Sequence, residues 1–531
     1  MKRKFYCLII LFILCLFQLS AEPPWRTIND YEYGVENGEL FFYNRNYGYP
    51  LSASIKTELN GEVVTAIGDF AFYNSVSLQY VTLPNTVIKI GNNAFSGCSI
   101  LQSISIPNSV EEIGNGAFAN CTNLTEIQLP DSVKSIGDYA FSGCSSLKKI
   151  IIPNSVTQIG RGAFLGCTNL EEVVLPSSIE TISSEMFSNC QSLKKIIIPD
   201  SVKTINNAVF YGCQNLTEIL IPESVTSIGD YVFSDCTSIK EIQLPESLIS
   251  MGDGVFYCCK NLKEIIIPVQ IRNIGNRVFD TCLELESVKL PSSVQSLGDY
   301  CFCDCRKLSE INIPDLVESI GNYAFDNCYV LRNILLPNSL KSIGDFAFCG
   351  CYSLESMLIP NTLEYLGSFV FNYCKNLKLV VFSEELREIP LGLFQECYNL
   401  SNIILPKSLN IIRRSAFEEC IGLTSIELPE SISAIEGSAF ENSGIISVVI
   451  PKSIVRLDSY TWNSCENLIS VTIPESVKSI SWYVFNDCKN LNEINYNGTM
   501  EQWSLIWKAE EWHKNVPATV VHCIDGDVPL D

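Results

Sequence analysis

The thiols and imidazoles are the side chains of this sequence that could do chemistry most readily. The 531 residues include 24 cysteines but only two histidines, His513 and His522. Zinc sites and nucleophilic catalysis usually combine thiols with imidazoles, and two histidines cannot serve 24 thiols in that way. His522 precedes Cys523 in a predicted final strand, where adjacent side chains point to opposite faces. We therefore predict that the protein is not an enzyme and that it has no catalytic residue, metal site or cofactor.

Paired carboxylates are the other groups that could do chemistry, because glycoside hydrolysis uses two of them at a fixed separation. Adjacent glutamates occur at Glu171-Glu172, Glu384-Glu385 and Glu418-Glu419. All three pairs fall at variable positions of a repeated motif, where solvated residues belong, so we interpret them as surface charge. A polysaccharide-active enzyme is therefore the least favoured function.

The spacing of the cysteines is part of a sequence repeat. Proline recurs every 23 residues from Pro84 to Pro360, and alignment on it gives Leu-x-x-Ile-x-Ile-Pro-x-Ser-Val-x-x-Ile-Gly-x-x-Ala-Phe-x-x-Cys-x-x. The phenylalanine column runs from Phe72 to Phe485, with Trp462 in one place, and marks nineteen repeat phases. Seventeen cysteines stand three residues after this aromatic residue. A fixed period of this length predicts a solenoid, whose units bury their apolar positions by stacking on one another.

Each repeat predicts two short extended segments, followed by an Ala-Phe pair at which the chain turns back toward the next unit. Leu-x-x-Ile-x-Ile predicts a strand with both isoleucines directed inward, which the following proline ends. Val-x-x-Ile-Gly predicts a second extended segment, whose glycine supplies a left-handed or tight backbone conformation. In Ala-Phe, the alanine permits close approach and the phenylalanine fills the space between layers. The column cysteines are then explained as small, buried, weakly polar side chains.

Five cysteines admit a second interpretation. Cys301, Cys303, Cys305, Cys349 and Cys351 lie in repeats 46 residues apart and could in principle hold a soft metal or form a disulfide. Cys305 and Cys351 belong to the cysteine column, and Cys301 takes the alanine position. Only Cys303 and Cys349 are then extra, so packing is the favoured interpretation.

The first 21 residues differ from the rest of the chain. Met1–Lys4 is basic, Phe5–Phe17 is an unbroken apolar run of 13 residues, and Leu19-Ser20-Ala21 ends with a small residue. This pattern predicts a cleaved secretory signal, since a membrane-spanning helix needs about 20 apolar residues. Lipidation at Cys15 is a minor alternative, because Leu14 rather than a small residue precedes it. We expect a secreted or cell-surface protein, cleaved near Ala21, with no membrane span in the mature chain.

The repeat resembles the BspA-like class of leucine-rich repeat, whose 23-residue unit has the same Ile-x-Ile-Pro, Ile-Gly, Ala-Phe and Cys landmarks. The resemblance implies an α/β-solenoid that is mainly β: a right-handed leucine-rich-repeat solenoid with short parallel strands in each layer and a cap at either end. The implied divisions are a signal peptide at 1–21, an N-terminal strand cap at 22–60, about nineteen repeats at 61–496 and a C-terminal cap at 497–531. Within the last, a helix is expected from about Met500 to Trp512.

Binding is expected at the positions that the repeat leaves variable. The residue between the two isoleucines must face outward, and it is apolar in two stretches. We predict that these residues bind a partner: Ile151, Val174, Ile197, Leu220, Leu335, Leu358, Val381 and Ile404. A polar-leaning run separates the stretches: Gln243, Ile266, Lys289 and Asn312. Exposed apolar stripes are common at interaction surfaces, although the preference of β-branched residues for strands is an alternative explanation.

Charge and resemblance together indicate the class of partner. With 36 basic and 59 acidic residues, the formal net charge is −23 at pH 7, which disfavours nucleic acid and anionic lipid. BspA-like proteins are characteristically exported, surface-displayed and involved in adhesion, so the resemblance implies binding to proteins of a host or a neighbouring cell. A structural surface-layer protein that self-associates is the alternative. We expect a monomer.

Overall fold

The computed structural model describes residues 25–28, 31–42, 52–59 and 61–530. The predicted signal peptide, residues 1–21, lies outside the described residues. The chain divides into two units, which meet in sequence between Leu170 and Glu171. Both units consist of short coils, and most coils contribute a strand to each of two ladders. We call the strands that precede the repeat prolines the proline ladder, and those that precede the repeat glycines the glycine ladder.

The first unit begins with antiparallel strands and continues with parallel ones. Its proline ladder contains Ser52–Ser54, Tyr80–Thr82, Ser103–Ser105 and Lys149–Ile151. Its glycine ladder starts with the antiparallel strands Trp25–Ile28, Tyr31–Glu36 and Glu39–Phe42, and continues in parallel with Ala66–Ile67, Lys89–Ile90, Glu112–Ile113, Ser135–Ile136 and Gln158–Ile159. A separate hairpin pairs Glu58–Leu59 with Glu62–Val63.

The second unit repeats the same two ladders. Its proline-ladder strands are Glu172–Val174, Lys195–Ile197, Glu218–Leu220, Glu264–Ile266, Ser287–Lys289, Ser356–Leu358, Leu379–Val381, Asn402–Ile404, Ser447–Val449, Ser470–Ile473, Glu493–Tyr496, Val520–Cys523 and Gly526–Pro529. Its glycine-ladder strands are Thr181–Ile182, Thr204–Ile205, Ser227–Ile228, Ser250–Met251, Asn273–Ile274, Ser296–Leu297, Ser319–Ile320, Ser342–Ile343, Tyr365–Leu366, Glu388–Ile389, Ile411–Ile412, Ala434–Ile435, Arg456–Leu457, Ser479–Ile480 and Trp507–Lys508. Strands one repeat apart pair in parallel, which confirms the predicted mainly β solenoid.

The alternation within each proline-ladder strand follows from the repeat. Ile104 and Ile106 are buried and Ser105 between them is exposed, because successive side chains of a strand point to opposite faces. Pro107 follows at once and lacks the N–H that would extend the ladder. Both isoleucines therefore point inward, as predicted.

Stacked aromatic rings form the centre of each unit. In the first unit, the ring centroids of Phe72 and Phe95 are 4.9 Å apart, with planes 9° from parallel. In the second unit, Phe302 and Phe325 are 5.2 Å apart. These rings are fully buried, so each phenylalanine fills the space between neighbouring coils, as the sequence predicts.

The glycine of the Ile-Gly pair is required for space, and the left-handed alternative is wrong. None of these glycines has a positive φ. At Gly321 an added Cβ would lie 2.6 Å from the backbone nitrogen of Asp299, one coil earlier. Left-handed residues occur instead two positions before and after the phenylalanine, as at Tyr139 and Gly143 around Phe141, with φ of +55° and +72°.

Side chains next to the glycine join successive coils. Asp253 Oδ1 accepts a hydrogen bond from the Asn276 N–H at 2.8 Å, and the Asp253 N–H donates to Asp230 Oδ1 at 2.9 Å. These carboxylates and amides stand directly after Ile-Gly, where short polar acceptors recur in most repeats. They satisfy backbone N–H groups that neither ladder of strands uses.

The predicted helix from Met500 to Trp512 is wrong beyond its first turns. The helix spans only Met500–Ser504, with a capping box in which Gln502 N–H donates to Thr499 Oγ1 and Thr499 N–H donates to Gln502 Oε1. The chain then returns to the glycine ladder, where Ala509 N–H donates to Ile480 O at 3.0 Å. The last repeat leaves backbone hydrogen-bonding groups of the glycine ladder unpaired, and the chain pairs with these groups instead of continuing the helix.

The last strand of the chain also differs from the prediction. Val520–Cys523, which contains His522, pairs in parallel with Glu493–Tyr496. It is not the final strand, because Gly526–Pro529 pairs with it antiparallel and completes the sheet. None of the helices in the described ranges is long and apolar enough to cross a membrane.

Candidate binding surface

The outward position of the proline ladder is exposed, as the repeat requires. In the first unit, Ile151 has 52% of its surface exposed. In the second unit the exposed fractions are 44% for Val174, 58% for Ile197 and 62% for Leu220. Ile197 and Leu220 are register partners on adjacent strands, so their side chains form a continuous apolar strip.

The second predicted group lies wholly in the second unit. Leu358, Val381 and Ile404 are successive register partners, and Leu335 stands one repeat before Leu358. Leu335, Leu358 and Ile404 are exposed, whereas Val381 is half-buried. Three of these four residues therefore expose more than half of their surface to solvent.

A groove lies along the proline ladder of the second unit. It has a volume of about 1810 Å³ and is lined from Lys195 to Leu335. Ile197 and Leu220 stand at one end and Leu335 at the other, with the polar-leaning run between them. Ile266 in that run has 61% of its surface exposed, so the apolar character continues through the middle of the groove.

Some of the charged residues along this ladder are paired between coils. Lys195 Nζ lies 2.7 Å from Glu218 Oε2, one repeat later, and both side chains are exposed. Similar exposed pairs beside the glycine ladder join Lys134 to Glu111 in the first unit and Lys341 to Glu318 in the second. Each such pair contributes about 0 to 1 kcal/mol, so these pairs tune the surface rather than hold the fold.

The column cysteines are buried, and nearly all of them donate a hydrogen bond to a backbone carbonyl oxygen of the preceding coil, which the sequence does not reveal. Cys305 Sγ lies 3.2 Å from the carbonyl oxygen of Phe279, one coil earlier. The same contact joins Cys98 to Phe72 at 3.1 Å. Burial raises the pKa of the Cys98 thiol to about 12, so it stays protonated and able to donate at neutral pH.

The cysteine cluster does not form a metal site. Within the part of the chain that the structure describes, no group of three or more potential ligands could hold a metal ion, and none of these five cysteines forms a disulfide. Cys301 and Cys305 are fully buried, and Cys303 is separated from Cys349 by Asp326, which occupies the same column one coil from each. The Cys303 Sγ atom lies 3.9 Å from Asp326 Oδ2.

The two histidines lie near the end of the chain, and the glutamate pairs are exposed or half-buried. His522 Nδ1 lies 2.8 Å from Asp527 Oδ1 across the terminal hairpin. His513 stacks on Trp512 with ring centroids 4.3 Å apart. Glu171-Glu172 and Glu384-Glu385 are exposed, and Glu418-Glu419 is half-buried.

Some candidate residues were missed by the sequence analysis. Val449 occupies the outward position of its strand and has 67% of its surface exposed. It stands two residues before Pro451, the same place as in the other repeats, although the repeat that contains Gly444 is one residue shorter than 23. After the last repeat, Leu505 and Trp507 are exposed by 79% and 58%, and no repeat position predicts them.

Comparison with known proteins gives one family. The family model described as the BspA type leucine rich repeat region matches residues 65–194, 180–309, 295–400 and 387–505. No curated protein matches the chain.

Two solved structures illustrate the similarity. A leucine-rich repeat protein from Bacteroides ovatus is 33% identical, covers 75% of this chain and 99% of its own, and has a TM-score of 0.61. A leucine-rich cell surface protein from Faecalibacterium prausnitzii is 24% identical, with 92% of this chain and 99% of that chain covered and a TM-score of 0.33. The first of these agrees with the stacked-coil fold described above.

Proposed function

Because the chain belongs to the BspA-type leucine-rich repeat family, we propose that it is an exported, non-enzymatic protein that adheres to proteins of a host or a neighbouring cell. Proteins of this type are typically surface proteins that bind other proteins. In this proposal residues 1–21 are a signal peptide, 22–60 and 497–531 are caps, and 61–496 form the binding array.

The observation that carries the proposal is the exposed apolar column of the proline ladder. Ile197, Leu220, Leu358 and Ile404 each expose more than half of their surface in the second unit. A strand residue that faces solvent gains only a modest cross-strand contact from being apolar, whereas a protein partner can bury it and gain about 25 cal/mol per Å² of apolar area. Interfaces of this kind depend on a few central anchors.

The test is a substitution of these four residues by threonine, a polar β-branched residue that suits a strand. Ile197→Thr, Leu220→Thr, Leu358→Thr and Ile404→Thr together should weaken binding to surface proteins extracted from candidate host or neighbour cells at least tenfold. This expectation follows from anchor residues contributing about 1 kcal/mol or more each. Binding is measured by biolayer interferometry, and circular dichroism checks that the fold is retained.

The matched control removes equally exposed apolar side chains elsewhere in the second unit. Ile249, Val269, Leu316 and Val455 are exposed by 63, 60, 53 and 52% and do not face outward from the proline ladder. Their replacement by threonine should change binding less than twofold. Equal losses in both variants would contradict a site on the proline ladder, and concentration-dependent assembly in light scattering would favour a self-associating layer protein.

A further inference from the structure

The groove of the second unit has an acidic centre. Glu218, Glu241 and Glu264 occupy the same position of three successive repeats, and all three are exposed and line the groove. Glu241 and Glu264 are direct partners in a parallel bridge. Like charges placed opposite each other destabilise a sheet, so this arrangement has a cost that packing within the protein does not explain.

Only one of these three carboxylates has an ion-pair partner among the residues that the structure describes. Glu218 is paired with Lys195 at 2.7 Å. Glu241 and Glu264 have no ion pair within residues 61–530. Lys240 and Lys263, the residues just before them, are exposed but do not line the groove.

The remaining charged residues leave the groove with a negative net charge. Glu246 and Glu310 add two further carboxylates to the lining. Lys289 and Arg332 also line it, but they belong to later repeats than the three aligned glutamates. The lining as a whole has five acidic and three basic residues, and one of the basic residues is already paired.

Apolar side chains stand beside the glutamates on the same strands. Glu218 and Leu220 lie two residues apart and therefore point to the same face, as do Glu264 and Ile266. Leu220 and Ile266 are exposed by 62 and 61%. The centre of the groove thus offers a row of carboxylates next to a row in which Leu220 and Ile266 are apolar and Gln243 between them is polar.

We propose that this groove binds a basic amphipathic polypeptide segment, in which lysine or arginine side chains alternate with apolar ones. The apolar side chains contact Ile197, Leu220 and Ile266, and the basic ones face Glu241 and Glu264. A cationic small molecule would satisfy the carboxylates but leave the apolar rows in water, and an acidic segment would meet like charge. This inference rests on the proposed function, because it names the partner chemistry of the same surface.

The probes are three fluorescein-labelled peptides of eleven residues. One alternates leucine with lysine, one alternates leucine with glutamate, and one alternates serine with lysine. Fluorescence anisotropy with the protein should give at least tenfold tighter binding for the leucine-lysine peptide than for either of the others. Equal binding of the two lysine peptides would overturn the apolar part of the proposal, and equal binding of the two leucine peptides would overturn the acidic part.

The variants separate the groove from the general negative charge of the protein. Glu241→Gln with Glu264→Gln should weaken the leucine-lysine peptide at least fivefold. Glu427→Gln with Glu475→Gln makes the same change in net charge at exposed positions outside the groove and should weaken it less than twofold. Equal effects would show attraction to bulk charge and overturn the proposal. Circular dichroism verifies that both variants fold.

The proposed function is tested apart from this inference. If the threonine variant loses surface-protein binding while the two glutamine variants bind surface proteins and peptide equally, the adhesive function stands and the basic-segment proposal fails. If the threonine variant retains surface-protein binding, the proposed function fails whatever the peptides do.

Discussion

At the scale of single residues, Asp326 is a half-buried carboxyl group between Cys303 of the preceding coil and Cys349 of the following one. Burial, the largest cause, raises the pKa of Asp326 to about 6. The negative charge of Asp304 also raises it, whereas hydrogen bonds from the thiols of Cys349 and Cys303 lower it. The pKa of an unfolded-chain aspartate is about 3.9. Between about pH 4 and 6 the folded state therefore binds more protons than the unfolded state.

Stability should accordingly fall as the pH rises through this window, because the free energy of unfolding decreases where the folded state holds the extra proton. Replacing Asp326 by asparagine removes the cost of ionisation. We expect Asp326→Asn to stabilise the protein at pH 7.5 by on the order of 1 kcal/mol, a value reduced for solvent screening at a half-buried site, and to change little at pH 4. Urea unfolding at both pH values measures this difference.

The control for Asp326 is an exposed aspartate. Asp315 follows Pro314 on the surface, and Asp315→Asn makes the same change in net charge. It should leave the difference between pH 4 and pH 7.5 as in the unaltered protein. An Asp326→Asn variant that is destabilised at pH 7.5 would contradict an unfavourable ionised carboxylate.

The cysteine column shows how far residue identity alone can be interpreted. The repeat predicts a small buried side chain, and serine at Ser75 and Ser443 agrees with that. The hydrogen bond from most of these thiols to an aromatic residue's carbonyl oxygen, as from Cys144 to Phe118 at 3.2 Å, depends on the offset between coils. A sequence period gives the number of residues in a coil but not the rotation of one coil over the next.

At the scale of the elements, the glycine ladder sets the distance between coils. Gly321 has no room for a Cβ, which would lie 2.6 Å from Asp299 N and 2.6 Å from Gly298 C. Both are backbone atoms, so no side-chain rotation relieves the contact. We expect Gly321→Ala to destabilise the protein by about 3 kcal/mol, the upper end for overpacking, measured by urea unfolding.

A second glycine provides the comparison. Gly166 has a φ of +70°, and a Cβ there would meet only Gly143 atoms at 3.9 Å. Gly166→Ala should cost about 1 kcal/mol, from the left-handed backbone alone. If the two variants are destabilised equally, close approach is not the reason for the Ile-Gly glycine.

At the scale of the whole molecule, acidic charge exceeds basic charge by 23. Exposed ion pairs between coils, such as Lys203 with Glu180 at 3.0 Å, contribute little, whereas net charge of one sign destabilises a folded chain. Salt screens both. We expect the Tm to rise by a few degrees between about 20 mM and 300 mM NaCl, because the Debye length falls below about 10 Å.

Scanning calorimetry measures this shift, and KCl at equal ionic strength should reproduce it. A fall in Tm with salt would mean that attraction within the ion pairs outweighs the repulsion of the net charge. A shift that differs between the two salts would point to specific ion binding instead of screening.

The sequence by itself determined the ladders, the aromatic core and the outward position of residues such as Leu220 and Leu335, because a strict 23-residue period fixes which side chains stack and which face water. It did not determine where the helix after Thr499 ends. No further repeat follows there, and the chain leaves the helix to pair with the backbone carbonyl of Ile480 in the glycine ladder. Nor did the sequence show that Glu241 and Glu264 line one groove with Ile266. Which side chains of successive coils line one groove depends on how each coil stacks on the one before it, and only the tertiary structure contains that offset.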